Sequence, residues 1–486
     1  MVQTASVHLK ILHTDLSVKG LFIMETHTRT FLILATLIFF VRSQDVPRIK
    51  SKMGFIEGTF KVSEPGTRKF SAFEGIPFAV PPIETLRFKP PLKADVFYKP
   101  HEALKATQFK ADCPQFDLYA KEFKGSEDCL YLNVFTPETK FHGGVSYPVM
   151  VWIHGGAFQM GSSSSEVYGP ERLLEEDIVL VTINYRLGPL GFLTTGDDIA
   201  PPNVGILDQR MALRWVKENI GAFAGDPEKV TIFGESAGGM SVMAHLASPG
   251  SRGLFHQAIS MSGVWGEMPF LHKSKKPTEY TKMLATGLGC DVDKSSLDII
   301  KCLQQKNPKE ILEQASSFRT FAFLPEPFTP VVDDYIPNPI LPMPLHQVWD
   351  NPTFSPVPLM IGGNKDDGIL MLLDFLKDEK LYSRVNENFS TELPAMLLGV
   401  DPDAAADDEG ETATAEVLRN SYLPGDGNFS ADAIEQMVRL FTDVHFLAPI
   451  DKAVRDLTIR ADHVFYYNYQ HKGSFSLPMA VGIFEV

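Results

Sequence analysis

Hydrophobic and polar positions along this chain follow two rhythms, and the change falls near Pro148. Before it, short apolar runs are broken or alternate. Residues 54–60 read as a short strand, and 70–82 as an extended segment punctuated by proline. In 126–137, Leu130, Leu132 and Val134 share one strand face. Little helix separates these segments, so the pattern predicts an antiparallel start to a sheet. After Pro148 the strands at 149–153 and 178–183 are apolar at nearly every position, the mark of strands covered on both faces. Residues 208–223 place Ala212, Trp215, Val216 and Ile220 on one helical stripe. Further strands are predicted at 230–235, 258–261, 357–362 and 463–469, and a helix from Met240. Strands alternating with helices imply an α/β fold, a mostly parallel sheet with helices on both faces. Residues 264–355 read as helices and loops over the strand ends. Residues 401–416, acidic and without an aromatic, read as a solvated loop or helix start.

The turn out of the strand at 230 carries candidate chemistry. Gly234-Glu235-Ser236-Ala237-Gly238 is a G-x-S-x-G sequence between a predicted strand and a predicted helix. Such a turn lifts the serine hydroxyl clear of the backbone, and its glycines avoid the crowding a Cβ would cause. The helix N-terminus and the Ala237 amide then point at any anion forming beside Ser236. A serine nucleophile also needs an oxyanion site, a base and an orienting acid. His154-Gly155-Gly156-Ala157-Phe158 directly follows a buried strand and supplies backbone amides, assigned to Gly156 and Ala157 alongside Ala237. His142-Gly143-Gly144 precedes its strand and reads as a surface turn. An acid is expected after a later strand, where Asp366 and Asp367 follow the run at 357–362.

Composition narrows the setting. The 486 residues are 44% hydrophobic, ample for a large core, and the net charge of −15 argues against nucleic acid or an anionic membrane as partner. Residues 31–41 form an apolar run too short to span a bilayer comfortably, preceded by Arg29 and followed by Val41-Arg42-Ser43. This reads as a signal peptide ending near Ser43, with translation starting at Met24 and residues 1–23 an upstream extension. A membrane anchor is the alternative, although no second long apolar run follows. One domain is expected over 44–486, secreted. Four cysteines suit an oxidising compartment; the local pairs Cys113 with Cys129 and Cys290 with Cys302 are one of three connectivities. Closing the first loop contributes roughly 3 kcal/mol by chain entropy. Asn388 and Asn428 head sequons, candidate glycosylation sites. No metal or organic cofactor is implied.

The chain resembles the type-B carboxylesterases, the α/β-hydrolases that include cholinesterases and insect esterases. The likeness rests on six ordered segments: 73–79 (FEGIPFA), 127–133 (EDCLYLN), 154–158 (HGGAF), 184–186 (NYR), 205–209 (GILDQ) and 234–239 (GESAGG). It implies an α/β-hydrolase fold and hydrolysis of a small-molecule carboxylic ester through an acyl-enzyme, with Ser236 as nucleophile and Asp367 at the acid position. It implies both local disulfides, and ion pairs Arg87–Glu127 and Arg186–Asp208 that brace the fold. Two departures stand out. Cholinesterases carry a choline-binding tryptophan between the first two cysteines, whereas 114–128 holds Phe116, Tyr119 and Phe123 but no tryptophan, which argues against choline specificity. The family's catalytic histidine lies in an H-G-D or H-A-D setting beyond the tyrosine-rich strand, and the sequence reaches Val486 without one. The expectation is therefore a domain truncated at its C-terminal end and impaired as an esterase. His471 precedes the family position and is set aside. The competing expectation is a catalytically silent protein that binds or sequesters esters, or serves adhesion.

Overall fold

A computed structural model describes residues 46–94, 102–117, 122–264, 276–319, 327–348, 354–378, 380–399, 409–459, 461 and 463–471. The apolar run at 31–41, Met24, Ser43, Tyr119 and residues 401–408 lie outside them. Among the described residues one sheet has nine strands: β1 (Thr59–Val62), β2 (Lys69–Pro77), β3 (Tyr131–Thr136), β4 (Tyr147–Ile153), β5 (Val179–Ile183), β6 (Gly225–Glu235), β7 (Gln257–Met261), β8 (Leu359–Asn364) and β9 (Val464–Tyr469). Their spatial order is β9-β8-β7-β6-β4-β5-β3-β2-β1. The strands from β4 to β9 pair in parallel, while β1, β2 and β3 form an antiparallel flank joined to β5. This mixed sheet is an α/β-hydrolase architecture, and the change from antiparallel to parallel pairing falls where the hydrophobic rhythm changes.

Period-two alternation explains why the central strands are apolar throughout. Val149, Val151, Ile153, Val179, Val181, Ile183, Val230 and Ile232 bury into the main core on one face. Phe70, Phe135, Trp152, Leu180 and Phe233 fill a second cluster on the other. Each such side chain, fully buried, is worth roughly 1.5–3 kcal/mol, so neither face tolerates a polar run. Helix α1 (Val204–Asn219) buries Ala212, Trp215 and Val216 in the main core, and β6 leads into helix α2 (Ala237–Ala247). The predicted start of α1 was four residues late. Asn203 takes a left-handed conformation (φ 62°), which fixes the entry at Val204.

The predicted strand over 54–60 is two. Gly54–Glu57 pairs with Arg48–Ser51 in a small separate sheet, and the chain passes to β1 through Gly58. A Cβ there would stand 2.2 Å from the Ala72 carbonyl oxygen, so only glycine fits between the two pairings. Disulfides join Cys113 to Cys129 and Cys290 to Cys302. Arg87 grips Glu127 through two 2.6 Å bonds and donates from Nη1 to the Leu303, Gln304 and Lys306 carbonyls. Arg186 holds Asp208 through two 2.7 Å bonds, fully buried. Both ion pairs are therefore internal braces.

Candidate active site

β6 delivers Glu235 to the C-terminal edge of the sheet, and the chain enters α2 through one residue. Ser236 sits at φ 56° and ψ −122°, a strained conformation costing on the order of 1–3 kcal/mol. Two backbone bonds impose it: the Ser236 amide donates to Met261 O at 2.8 Å, and the Met240 amide donates to Ser236 O at 2.9 Å. The flanking glycines are needed for close approach. A Cβ on Gly238 would lie 2.1 Å from the Ile153 carbonyl oxygen, and one on Gly234 would lie 2.5 Å from the Gly238 carbonyl carbon. α2 begins at Ala237, so the amides of its first turn have no partner inside the helix.

The end of β4 supplies the second turn. After Ile153 the amides of Gln159 and Met160 close back on Gly156 O at 2.9 and 3.0 Å. Gly156, Ala157 and Phe158 all have positive φ (104°, 54° and 59°). The two turns touch: a Cβ on Gly155 would fall 3.2 Å from Ser236 Cβ and 2.6 Å from Glu235 O. Tyr185, buried, donates its hydroxyl to His154 O at 2.8 Å and stacks on the His154 ring at 4.3 Å. The structure thus brings 154–158 and 234–238 into one corner, while His142 lies exposed before β4.

Asp367 lies just past β8, at the start of the short helical segment Asp367–Leu372. Its carboxylate accepts from the Asn364 amide at 2.8 Å and from Asn364 Nδ2 at 2.7 Å. Asp366 is exposed. Glu235, which the motif reading passed over, is the most perturbed acid here. Burial raises its carboxyl to about 7, and the negative charge of Asp367 adds to the rise. Burial, then the charges of Asp367 and Glu235, push the Tyr467 phenol up to about 12. Glu235, Asp367 and Tyr467 therefore sit within electrostatic reach of one another at the C-terminal ends of β6, β8 and β9. The sequence carries only part of this signal, an acid at the end of a continuous apolar strand; its coupling to Asp367 does not show there.

Five of the described histidines have other surroundings. His154 bonds Gly155 O through Nδ1 at 2.9 Å, and burial lowers it to about 4. His245 lies between Ser251 Oγ (2.9 Å) and Gln209 Oε1 (3.0 Å), with burial holding it near 3. His445 is buried against Phe441, lowered to about 4. His256 accepts from the Val230 amide, and His471 meets the Tyr469 ring edge-on. Among the described residues no histidine hydrogen-bonds to Ser236 or Asp367. Nor does any cluster of three or more His, Cys, Asp or Glu side chains there suit a metal ion, and no helix among them is long and apolar enough to cross a membrane.

A mixed sheet of this order, with a strained serine turn against a glycine-rich turn, is that of an α/β-hydrolase. The chain belongs to the carboxylesterase family, whose pattern it matches over residues 45–482. It is similar to juvenile hormone esterase of Tribolium castaneum, 36% identical over 442 residues, covering 88% of this chain and 73% of that one. It is 35% identical to venom carboxylesterase-6 of Apis mellifera over 92% of this chain and 79% of that protein. The crystal structure of juvenile hormone esterase from Manduca sexta, with OTFP covalently attached, superposes with a TM-score of 0.77 at 27% identity, over 91% of this chain and 81% of that one.

Proposed function

We propose that this protein is a secreted serine esterase working through an acyl-enzyme, with Ser236 as nucleophile. The observation that carries the reading is the contact between the Gly155 turn and Ser236. Ser236 Oγ attacks the ester carbonyl and gives its proton to a histidine base. The amides of Gly156, Ala157 and Ala237 hold the developing oxyanion. The histidine returns the proton to the leaving alcohol, and water then repeats the sequence on the acyl-enzyme and restores the serine. Asp367 orients the base and stabilises its charged form. The base itself is not among the described residues. The similar proteins named above share only the carboxylic ester as chemistry, so the proposed substrate class is small, uncharged esters, short aryl esters included. Phe116 and Phe123 pair across a hairpin within the 114–128 loop, whose composition offers no tryptophan for a quaternary ammonium, so choline esters are not preferred.

Cleavage after Ser43 would release a single domain starting near Gln44. Asn388 and Asn428 are both exposed, which supports their use as glycan acceptors. A second reading, a protein that binds esters without turning them over, draws on the absence of a described histidine at Ser236. Protein secreted from insect cells, tested with p-nitrophenyl acetate and with a fluorophosphonate followed by peptide mass spectrometry, separates the two. With the histidine base in place, turnover and an adduct on Ser236, both lost in Ser236→Ala, are expected; without that base, turnover should be strongly impaired. Equal turnover in Ser236→Ala would remove the nucleophile assignment, and ester binding without turnover would favour the second reading.

A further inference from the structure

We infer that Gln115 is a positioning residue for the 154–158 turn, an inference that rests on reading that turn as the oxyanion site. Gln115 is fully buried two residues after Cys113. Its Oε1 accepts from the Gly161 amide at 2.8 Å, and its Nε2 donates to Gly161 O at 2.9 Å and to Cys113 O at 3.0 Å. Both amide hydrogens and the oxygen are used, and a flipped amide would set Oε1 against two carbonyls, so the orientation is fixed. One side chain thereby supplies Gly161 with the pair of bonds that a neighbouring strand would give.

Gly161 is where that grip reaches the turn. It has φ +112°, and a Cβ there would lie 2.4 Å from His154 Nδ1 and 2.6 Å from Gly155 O. The Gly161 backbone therefore rests directly on the first residues of the turn. Two residues on, the Ser163 amide donates to Asn184 Oδ1 at 2.9 Å, and Asn184 Nδ2 donates to Cys129 O at 3.0 Å. The exit of the turn is thus tied to one half of the first disulfide by Gln115 and to the other by Asn184. Backbone amides stabilise an oxyanion only when aimed in advance, and displacement by about 1 Å costs on the order of 100-fold in rate. Packing alone would need only the volume of Gln115. The two bonds to Gly161 need its amide.

Gln115→Met keeps length and apolar volume and removes both bonds. Gln115→Glu keeps an acceptor for the Gly161 amide but turns an oxygen toward two carbonyls. Three readouts decide: kcat and KM on p-nitrophenyl acetate, inhibition by a trifluoromethyl ketone that forms a tetrahedral adduct, and hydrogen exchange of peptides spanning 154–163. For Gln115→Met we expect kcat to fall roughly 10- to 100-fold with KM within about twofold, on the scale of a misaimed oxyanion donor. The ketone should weaken in parallel, and exchange in 154–163 should rise about tenfold or more. Gln115→Glu should be at least as impaired. A Cys290→Ala/Cys302→Ala variant, whose disulfide takes part in none of these bonds, controls for general loosening and should keep kcat within about twofold. Unchanged exchange with unchanged kcat in Gln115→Met would overturn the inference, as would losses matched by the control. If wild type shows no Ser236-dependent turnover, the esterase reading fails on its own, and exchange in 154–163 still decides whether Gln115 holds the turn.

Discussion

The two halves of the candidate site are built to different standards. Ser236 and Asp367 are both partly buried, but the scaffold behind Ser236 is enclosed: Ala237 and the rest of α2 are buried, and Tyr185, Gly156 and Met261 each fix a backbone atom by a hydrogen bond. Around Asp367 the protein is open. Asp367 is only partly buried, its hydrogen bonds come from one neighbouring residue, and Phe465, Tyr466 and Tyr469 on the adjoining strand are about half exposed. Rigidity is concentrated where an oxyanion would need fixed dipoles. On the proposed mechanism the acid side can be looser, since orienting and charge-stabilising a ring tolerates small displacements better than hydrogen bonds to a developing charge do.

The largest effect would break that contrast. Asp367→Asn is expected to lower kcat on p-nitrophenyl acetate by roughly 10²–10⁴-fold, and Asp366→Asn to change it less than about twofold. Equal losses would show that the open half does not discriminate between neighbouring carboxylates. Next in size comes stability. Asp208→Ala leaves the buried Arg186 guanidinium uncompensated and should cost about 3–5 kcal/mol in urea unfolding. Phe465→Ala, on the exposed strand, should cost about 0.5 kcal/mol or less. A comparable loss at Phe465 would mean that β9 is covered in solution.

An effect seen only on changing pH concerns Glu235, which lies between the halves. Its carboxyl is raised from 4.5 to about 7. Between those values the folded protein holds a proton that the unfolded chain releases, so this group's stabilising effect is full at acid pH and is lost as pH rises through the window. The loss amounts to something on the order of 3 kcal/mol. Glu235→Gln should therefore be more stable than wild type above pH 7 and converge with it near pH 4.5. Melting temperatures of the two proteins across pH 4–8 measure this, and parallel curves would show that folding does not shift the Glu235 carboxyl.

The sequence made the parallel half of the sheet legible because strands covered on both faces leave no polar position to blur the pattern: β4 and β5 were placed within two residues, and β6 at its end, although its start at Gly225 lies five residues earlier. Boundaries set by one backbone conformation were not, as at Asn203 and Gly58, because local sequence does not say which carbonyl will pass close by. The serine and glycine-rich turns could be named from their strand context, and the structure puts them in contact. Glu235, Tyr185 and Gln115 stayed hidden for one shared reason. Each matters through a partner far along the chain or across the sheet, and no spacing rule links Gln115 to Gly161 or Glu235 to Asp367.

Arg87 adds a consequence in time. Its guanidinium meets Glu127 forty residues downstream, but the carbonyl of Lys306 lies 219 residues away. At synthesis rates of about 5–20 residues per second, the Arg87–Glu127 pair can close within seconds, while Nη1 waits roughly 11–44 s for its last acceptor to be made. Through that interval the amino-terminal strands carry a cation shaped for a helix end that does not yet exist. Until Cys302 and the residues after it have emerged, the Nη1 hydrogens of Arg87 can be satisfied only by water or by other groups of the nascent chain.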